Sequence, residues 1–228
     1  MPPRCRLGIG RIAGSLRTCR RTLATPSMHG KRGVESLSGL EQRTVLVRSD
    51  LNIPMKDGVI TDETRIAEAL PTLRFLSEAG AKVVVCSHLG RPKGKASPAL
   101  SLMPVAARMS EMLGMPVDTC GHSVGPDVTD RVAALPRGGV LLLENVRFHP
   151  TEEKNDLDLA KQLVGSCGAT AFVNDAFGTA HRAHASTAGV TGFVSDAVAG
   201  LLLQKELCLT DAHGHEPCPH DAHSRKHV

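Results

Sequence analysis

The sequence predicts an α/β fold, a doubly wound and mainly parallel sheet with helices on both faces. Two observations carry this. Four short runs recur along the chain: Thr44–Ser49 (TVLVRS), Lys82–Cys86 (KVVVC), Gly139–Glu144 (GVLLLE) and Thr170–Asp175 (TAFVND). Near-continuous apolar runs of that length belong to strands buried on both faces. Segments with helical apolar spacing lie between them, and this alternation implies right-handed crossovers to parallel neighbours.

The chain begins with a basic leader. Of its 27 Lys and Arg residues, eight fall in residues 1–34, which hold no acid; the other 19 face all 23 acids. The segment MPPRCRLGIGRIAGSLRTCRRTLATPSMHG is rich in Arg, Ser and Thr, and Arg11 and Arg17 interrupt the apolar core a secretory signal needs. That composition reads as an organelle transit peptide, so residues 1–33 are assigned as a disordered leader. The alternative is a basic arm or a mis-assigned start. With its basic excess on the leader, the rest of the chain does not read as a nucleic-acid binder. No apolar run approaches the roughly 18 residues that would cross a bilayer.

The elements follow in order. Asp62–Ala79 places Ile66, Ala69, Leu70, Leu73 and Leu76 on one helical face. Thr61 or Asp62 is the expected N-cap, and Gly80 the residue beyond the C-terminus. Pro71 is expected to bend or shorten this helix. Further helices are predicted over Met103–Leu113, Val128–Ala134, Asn155–Val164 and Asp196–Leu207. The tail from Cys208 to Val228 is polar, His-rich and aperiodic, and reads as disordered. Its Cys208, His213, His215, Cys218, His220 and His223 fit no standard zinc spacing, and the odd set of seven cysteines indicates no disulfide framework. No residue is assigned to a metal or cofactor.

Each predicted strand is followed by polar groups that a core does not require. Asp50 and Asn52 follow the first, His88 and Arg91 the second, Arg147 the third and Arg182 the fourth. Ligands of such sheets sit beyond the carboxyl ends of the strands. Arginines converging there repel one another unless an anion lies among them, and the guanidinium fork matches phosphate or carboxylate oxygens. The residues themselves point to a phosphorylated metabolite.

The segments SDLNIP, SHLGRP, ENVRF and NDAFGTAHRAHAS resemble, in order and spacing, signature segments of phosphoglycerate kinase. The resemblance covers Val34–Leu207 and corresponds to the N-terminal, 3-phosphoglycerate-binding domain. It implies phosphoryl transfer between an acyl phosphate and ADP, in glycolysis or carbon fixation. By position, Asp50 and Asn52 would hold the hydroxyl and carboxyl end of 3-phosphoglycerate. His88, Arg91, Arg147 and Arg182 would grip its phosphate. Arg65 would bind the carboxylate and act on the phosphoryl group in flight, as the catalytic residue. The attacking carboxylate is already ionised, so the reaction needs alignment and charge neutralisation rather than a general base.

The family binds MgATP or MgADP on a second α/β domain, whose motifs are not found after Leu207. The resemblance therefore implies a truncated chain, without a nucleotide site and inactive alone. The alternatives are a non-catalytic phosphoglycerate-binding or regulatory module, or the unstable product of an incomplete gene model. Leu201, Leu202 and Leu203 are expected to form an exposed apolar patch that promotes self-association. Leu51 and TEEKNDLDLAKQL resemble plastid-type members, which places the protein in the plastid stroma, with mitochondrion or cytoplasm as alternatives.

Overall fold

The computed structural model describes residues 31–56 and 58–211. Most of the leader and most of the His-rich tail, with the transit-peptide and zinc readings attached to them, lie outside the described residues.

Six strands form one parallel sheet in the order β5-β6-β4-β1-β7-β8. They are β1 (Thr44–Ser49), β4 (Lys82–Cys86), β5 (Val117–Thr119), β6 (Val140–Leu142), β7 (Ala171–Asp175) and β8 (Asp196–Ala199). A small antiparallel hairpin, β2 (Met55–Lys56) with β3 (Val59–Ile60), follows β1. The helices are α1 (Thr64–Glu78), α2 (Met103–Leu113), α3 (Pro126–Ala134), α4 (Leu157–Cys167), α5 (Phe177–Ala180) and α6 (Leu201–Asp211).

The period of two along the strands divides the core. Val45, Val47, Val83, Val85 and Val173 face α1 and α2, where Ile66, Leu73, Leu76, Val105 and Met109 complete one apolar layer. Leu46, Val84, Leu141 and Phe172 face α3 and α4, against Val128, Leu159, Leu163 and Val164. Helices thus cover both faces, as the apolar strand runs require. The chain leaves β1 through α1 toward β4, whereas β7 leads away from it toward β8. The connections diverge at the β1–β7 pair, so a crevice opens beyond the carboxyl ends of those strands.

Several expectations are corrected. Pro71 does not shorten α1, which continues to Glu78. Pro71 is exposed, so the carbonyl of Ala67 that loses its partner can be met by water. The N-cap position is Glu63, while Asp62 accepts from the Thr64 amide at 2.9 Å. Helix α3 begins two residues early because Pro126 suits a first turn. Helix α4 begins late: Asn155 is left-handed, with φ of 55°, and Asp156 caps the helix by accepting from Leu159 N at 2.8 Å.

The segment read as one helix over Asp196–Leu207 is a strand followed by a helix. Asp196–Ala199 pairs with β7 from Ala171 to Asn174, and this pairing overrides the helical propensity of its two alanines. Helix α6 passes Leu207 and includes Cys208–Asp211, so residues 208–211 are helical rather than disordered. At the other end, Gly33 bridges Ala199 and Arg32 pairs with Asp196 at 2.9 Å. Residues 31–33 therefore belong to the fold rather than to the leader.

The expected leucine patch is absent as a patch. Leu203 is buried, Leu201 packs on the layer beneath α1, and Leu202 is half-buried beside Phe177. Asp175 explains the docking of α6. Its Oδ1 accepts from Leu202 N at 2.9 Å and Leu203 N at 3.2 Å, while Thr72 Oγ1 accepts from Leu201 N at 2.9 Å. A carboxylate at a helix N-terminus meets the orphan amides there. Burial nonetheless raises the Asp175 pKa, a shift partly opposed by hydrogen bonds from Thr72, Leu203 and Leu202.

Candidate active site

All seven side chains named from the sequence line one cavity of about 270 Å³ beyond the carboxyl ends of β1, β4 and β7. Asp50, Asn52, Arg65, His88, Arg91, Arg147 and Arg182 share its wall with Gly90, Gly178 and Thr179. Four guanidiniums and one imidazole thus surround a space with a single carboxylate.

The loop after β1 is fixed by its neighbours. Ser87 Oγ donates to the Ser49 carbonyl at 2.8 Å and accepts from Leu51 N at 2.9 Å, tying the end of β1 to the end of β4. Leu51 is fully buried, which turns Asp50 and Asn52 outward on either side of it. Asn52 Oδ1 accepts from Gly90 N at 2.8 Å. Gly90 has φ of +62°, a conformation that a residue with a Cβ rarely adopts. Its carbonyl accepts from an Arg147 terminal nitrogen at 3.0 Å.

Asp50 accepts from Asn52 N at 3.2 Å and pairs with Arg65 through its other oxygen. A Cβ at Gly178 would lie 2.7 Å from that same Oδ2, so glycine lets the start of α5 approach Asp50 this closely. Arg65 reaches the site from the first turn of α1, and Arg182 from just beyond α5. Arg182 Nε donates to His181 Nε2 at 3.1 Å. Arg91 and Arg182 are exposed, whereas Arg147 and His88 are buried.

His88 is held neutral. Its Nδ1 lies 3.0 Å from an Arg48 terminal nitrogen. Arginine can only donate, so Nδ1 accepts and the ring hydrogen sits on Nε2. Burial, then the charges of Arg48, Arg147, Arg65 and His184, lower its pKa to about 2. His88 is therefore a hydrogen-bond donor and not a cation. Burial also lowers the pKa of Arg147, with Glu153 and Glu152 opposing it; the guanidinium remains charged.

Sequence reasoning missed Arg48, Glu152 and Ser186, which stand behind the cavity wall. Arg48 carried a signal, since an arginine inside a β-branched run must be paired if the strand is buried. Glu152 carried none, because TEEK reads as a solvated turn, yet Glu152 is fully buried. Glu144, of the ENVRF segment, accepts from Ser101 Oγ at 2.7 Å and Leu102 N at 2.8 Å, fixing the entrance to α2.

A doubly wound α/β domain that gathers donors and guanidiniums around a small cavity at its switch point is built to take a small, multiply charged anion. The family model described as Phosphoglycerate kinase matches residues 34–219. "Phosphoglycerate kinase 2, chloroplastic" of Arabidopsis thaliana is 56% identical over 180 residues, covering 78% of this chain and 37% of the relative. Phosphoglycerate kinase of Synechococcus elongatus is also 56% identical, over 78% of this chain and 44% of its own length. Among solved structures, phosphoglycerate kinase from Coxiella burnetii superposes with a TM-score of 0.70 at 41% identity, over 80% of this chain and 45% of that one. The enzyme from Pyrococcus horikoshii gives 0.72 at 34% identity, over 82% and 47%. The chain belongs to the phosphoglycerate kinase family, a lineage of phosphoryl-transfer enzymes, and corresponds to its N-terminal, substrate-binding domain. It spans less than half the length of these relatives.

Proposed function

We propose that the cavity binds 3-phosphoglycerate, or the 1,3-bisphosphoglycerate formed from it, as the acceptor half-site of a phosphoglycerate kinase. The observation that supports this is the convergence of all seven side chains on one small space. His88, Arg91, Arg147 and Arg182 take the 3-phosphate, with charge-assisted hydrogen bonds from the arginines and a neutral one from His88 Nε2. Asp50 and Asn52 take the hydroxyl and carboxyl end. Arg65, already oriented by Asp50, faces the carboxylate and neutralises charge on the group in transfer. The substrate carboxylate is already ionised at neutral pH, so no side chain here has to remove a proton from it.

The family uses MgATP or MgADP as the phosphoryl partner. The residues of this cavity do not fit it. About 270 Å³ walled by guanidiniums suits a three-carbon phosphate, and no cluster of three metal-ligating side chains occurs among the described residues. Alignment of two reactants supplies roughly 7–11 kcal/mol of barrier reduction. We propose that these 228 residues alone bind phosphoglycerate without detectable turnover, a non-catalytic binding role being the second reading this leaves. The Arg-rich, acid-free composition of residues 1–30 supports import into an organelle, and the likeness of Leu51 and TEEKNDLDLAKQL to plastid-type members supports the plastid stroma; a fluorescent fusion retained in cytoplasm or mitochondrion would contradict it.

Ligand-dependent thermal unfolding tests the binding reading. 3-Phosphoglycerate at about 100 times its Kd should stabilise the chain by about 2.7 kcal/mol. Glycerate, lacking the phosphate, should not raise the melting temperature. Equal effects of the two, or none from either, would overturn the assignment.

A further inference from the structure

Behind the cavity lies a buried charged network that the ligand-facing residues do not explain. Arg48, on β1, and Glu152, on the turn Glu152–Lys154 after β6, are both fully buried. Ser186 stands between them. Its hydroxyl accepts from Arg48 Nε at 3.0 Å and donates to Glu152 Oε1 at 2.7 Å. The rest of the Arg48 fork donates to the Ser49 carbonyl and to His88 Nδ1. These three acceptors are neutral, so the serine relay is what links the buried guanidinium to an anion. On its other side, Glu152 Oε2 lies 3.4 Å from His184 Nδ1 and 4.0 Å from Arg147 Nε. All three atoms are buried without a hydrogen-bond partner.

Such an arrangement is poor as a device for stability. Burying a carboxylate costs several kcal/mol, and apolar replacements of buried ion pairs are often neutral or stabilising. Its value lies in geometry. One carboxylate lies on both routes to the cavity: 4.0 Å from Arg147 Nε, which Glu153 Oε1 also approaches from the exposed side at 3.3 Å, and through Ser186 and Arg48 to His88.

We propose that Glu152 is a positioning residue for the phosphate end of the cavity, holding Arg147 and, through Ser186 and Arg48, the Nε2–H form of His88 in place before a ligand arrives. This rests on the phosphoglycerate reading of the site. The sign of the effect separates positioning from charge. Glu152 is an anion beside an anion site, so by Coulomb repulsion alone its neutralisation tightens binding. Positioning requires the opposite, because an arginine and an imidazole released from their supports must be ordered again by the ligand.

The test uses the 228-residue chain with Glu152→Gln, which keeps the shape and removes the charge, and Ser186→Ala, which cuts only the relay to Arg48. Circular dichroism and melting temperature establish that each variant is folded. Calorimetric titration of 3-phosphoglycerate should show affinity reduced about tenfold in Glu152→Gln and about threefold in Ser186→Ala. The ring ¹⁵N signals of His88, assigned with His88→Gln, should report a single Nε2–H form in the wild type and a mixture in both variants. Unchanged or tighter binding in folded Glu152→Gln would overturn the inference while leaving the phosphoglycerate reading intact. If Glu152→Gln does not fold, unchanged affinity and unchanged His88 signals in Ser186→Ala would overturn it. No binding by the wild-type chain would overturn the phosphoglycerate reading, and this inference with it.

Discussion

Strand β1 is two regions in six residues. Val45, Leu46 and Val47 are fully buried among apolar side chains of both layers, and one residue later Arg48 is equally buried among polar ones. Burial is the same; the chemistry is opposite. The apolar half gains from leaving water, at about 25 cal/mol per Å². The polar half loses by it, and persists because Ser49, Ser186, His88 and Glu152 satisfy or balance the charge. The domain thus draws its stability from the apolar half, and that stability supports a preset site in the polar half.

Mutations should separate the two regions. Phe172, fully enclosed in the layer of α3 and α4, should cost about 3–5 kcal/mol of unfolding free energy when changed to alanine. Urea unfolding measures this, and the folded fraction should keep its affinity for 3-phosphoglycerate. Arg147→Ala lies on the boundary. Affinity should fall about 100-fold, near 2.7 kcal/mol, by calorimetry, with a smaller loss of stability because Glu152 loses a neighbouring cation. Full affinity in that variant would erase the distinction.

How much of this was legible beforehand follows the same division. The four short strand runs were readable because burial on both faces demands a continuous apolar stretch, and the face of α1 because burial on one side imposes a period. The cavity-lining arginines were readable because polar groups at strand ends have no core role. Strand β5 was not, since Val117–Thr119 (VDT) has a single apolar residue, and neither was β8, whose pairing with β7 is a tertiary fact. The hairpin of β2 and β3 had a signal in its Asp-Gly pair. Glu152 was invisible because nothing local distinguishes a buried glutamate from a solvated one.

Smaller effects sharpen the contrast. Gly178→Ala should lower affinity about tenfold with little change in unfolding free energy. Its Cβ would meet Asp50 Oδ2 at 2.7 Å, so Asp50 and its partner Arg65 must shift. Unchanged affinity would show that this close approach is incidental.

The pH dependence of stability should carry the signature of His88. Its pKa is about 2 when folded and about 6.5 when unfolded. Below pH 6.5 the unfolded chain binds a proton that the folded chain refuses. The contribution is therefore fully present above pH 6.5 and is lost as pH falls toward 2, with a slope approaching about 1.4 kcal/mol per pH unit. His149, also lowered by burial, acts in the same direction, and Asp175, raised, acts oppositely. The difference between wild type and His88→Gln between pH 7 and 4 isolates the His88 share. Parallel curves would mean that His88 titrates normally and is not locked by Arg48.

The polar ends of the strands are proposed to form a phosphoglycerate-binding site. The most direct measurement is calorimetric titration of 3-phosphoglycerate into the wild-type chain and into Arg182→Ala; intrinsic fluorescence is unsuited, since the chain has no Trp or Tyr. Arg182 is exposed, so its removal should leave the fold unchanged. The account predicts saturable one-to-one binding to the wild type and loss of about 100-fold in affinity in the variant. No saturable binding, or equal affinity in the two proteins, would contradict it.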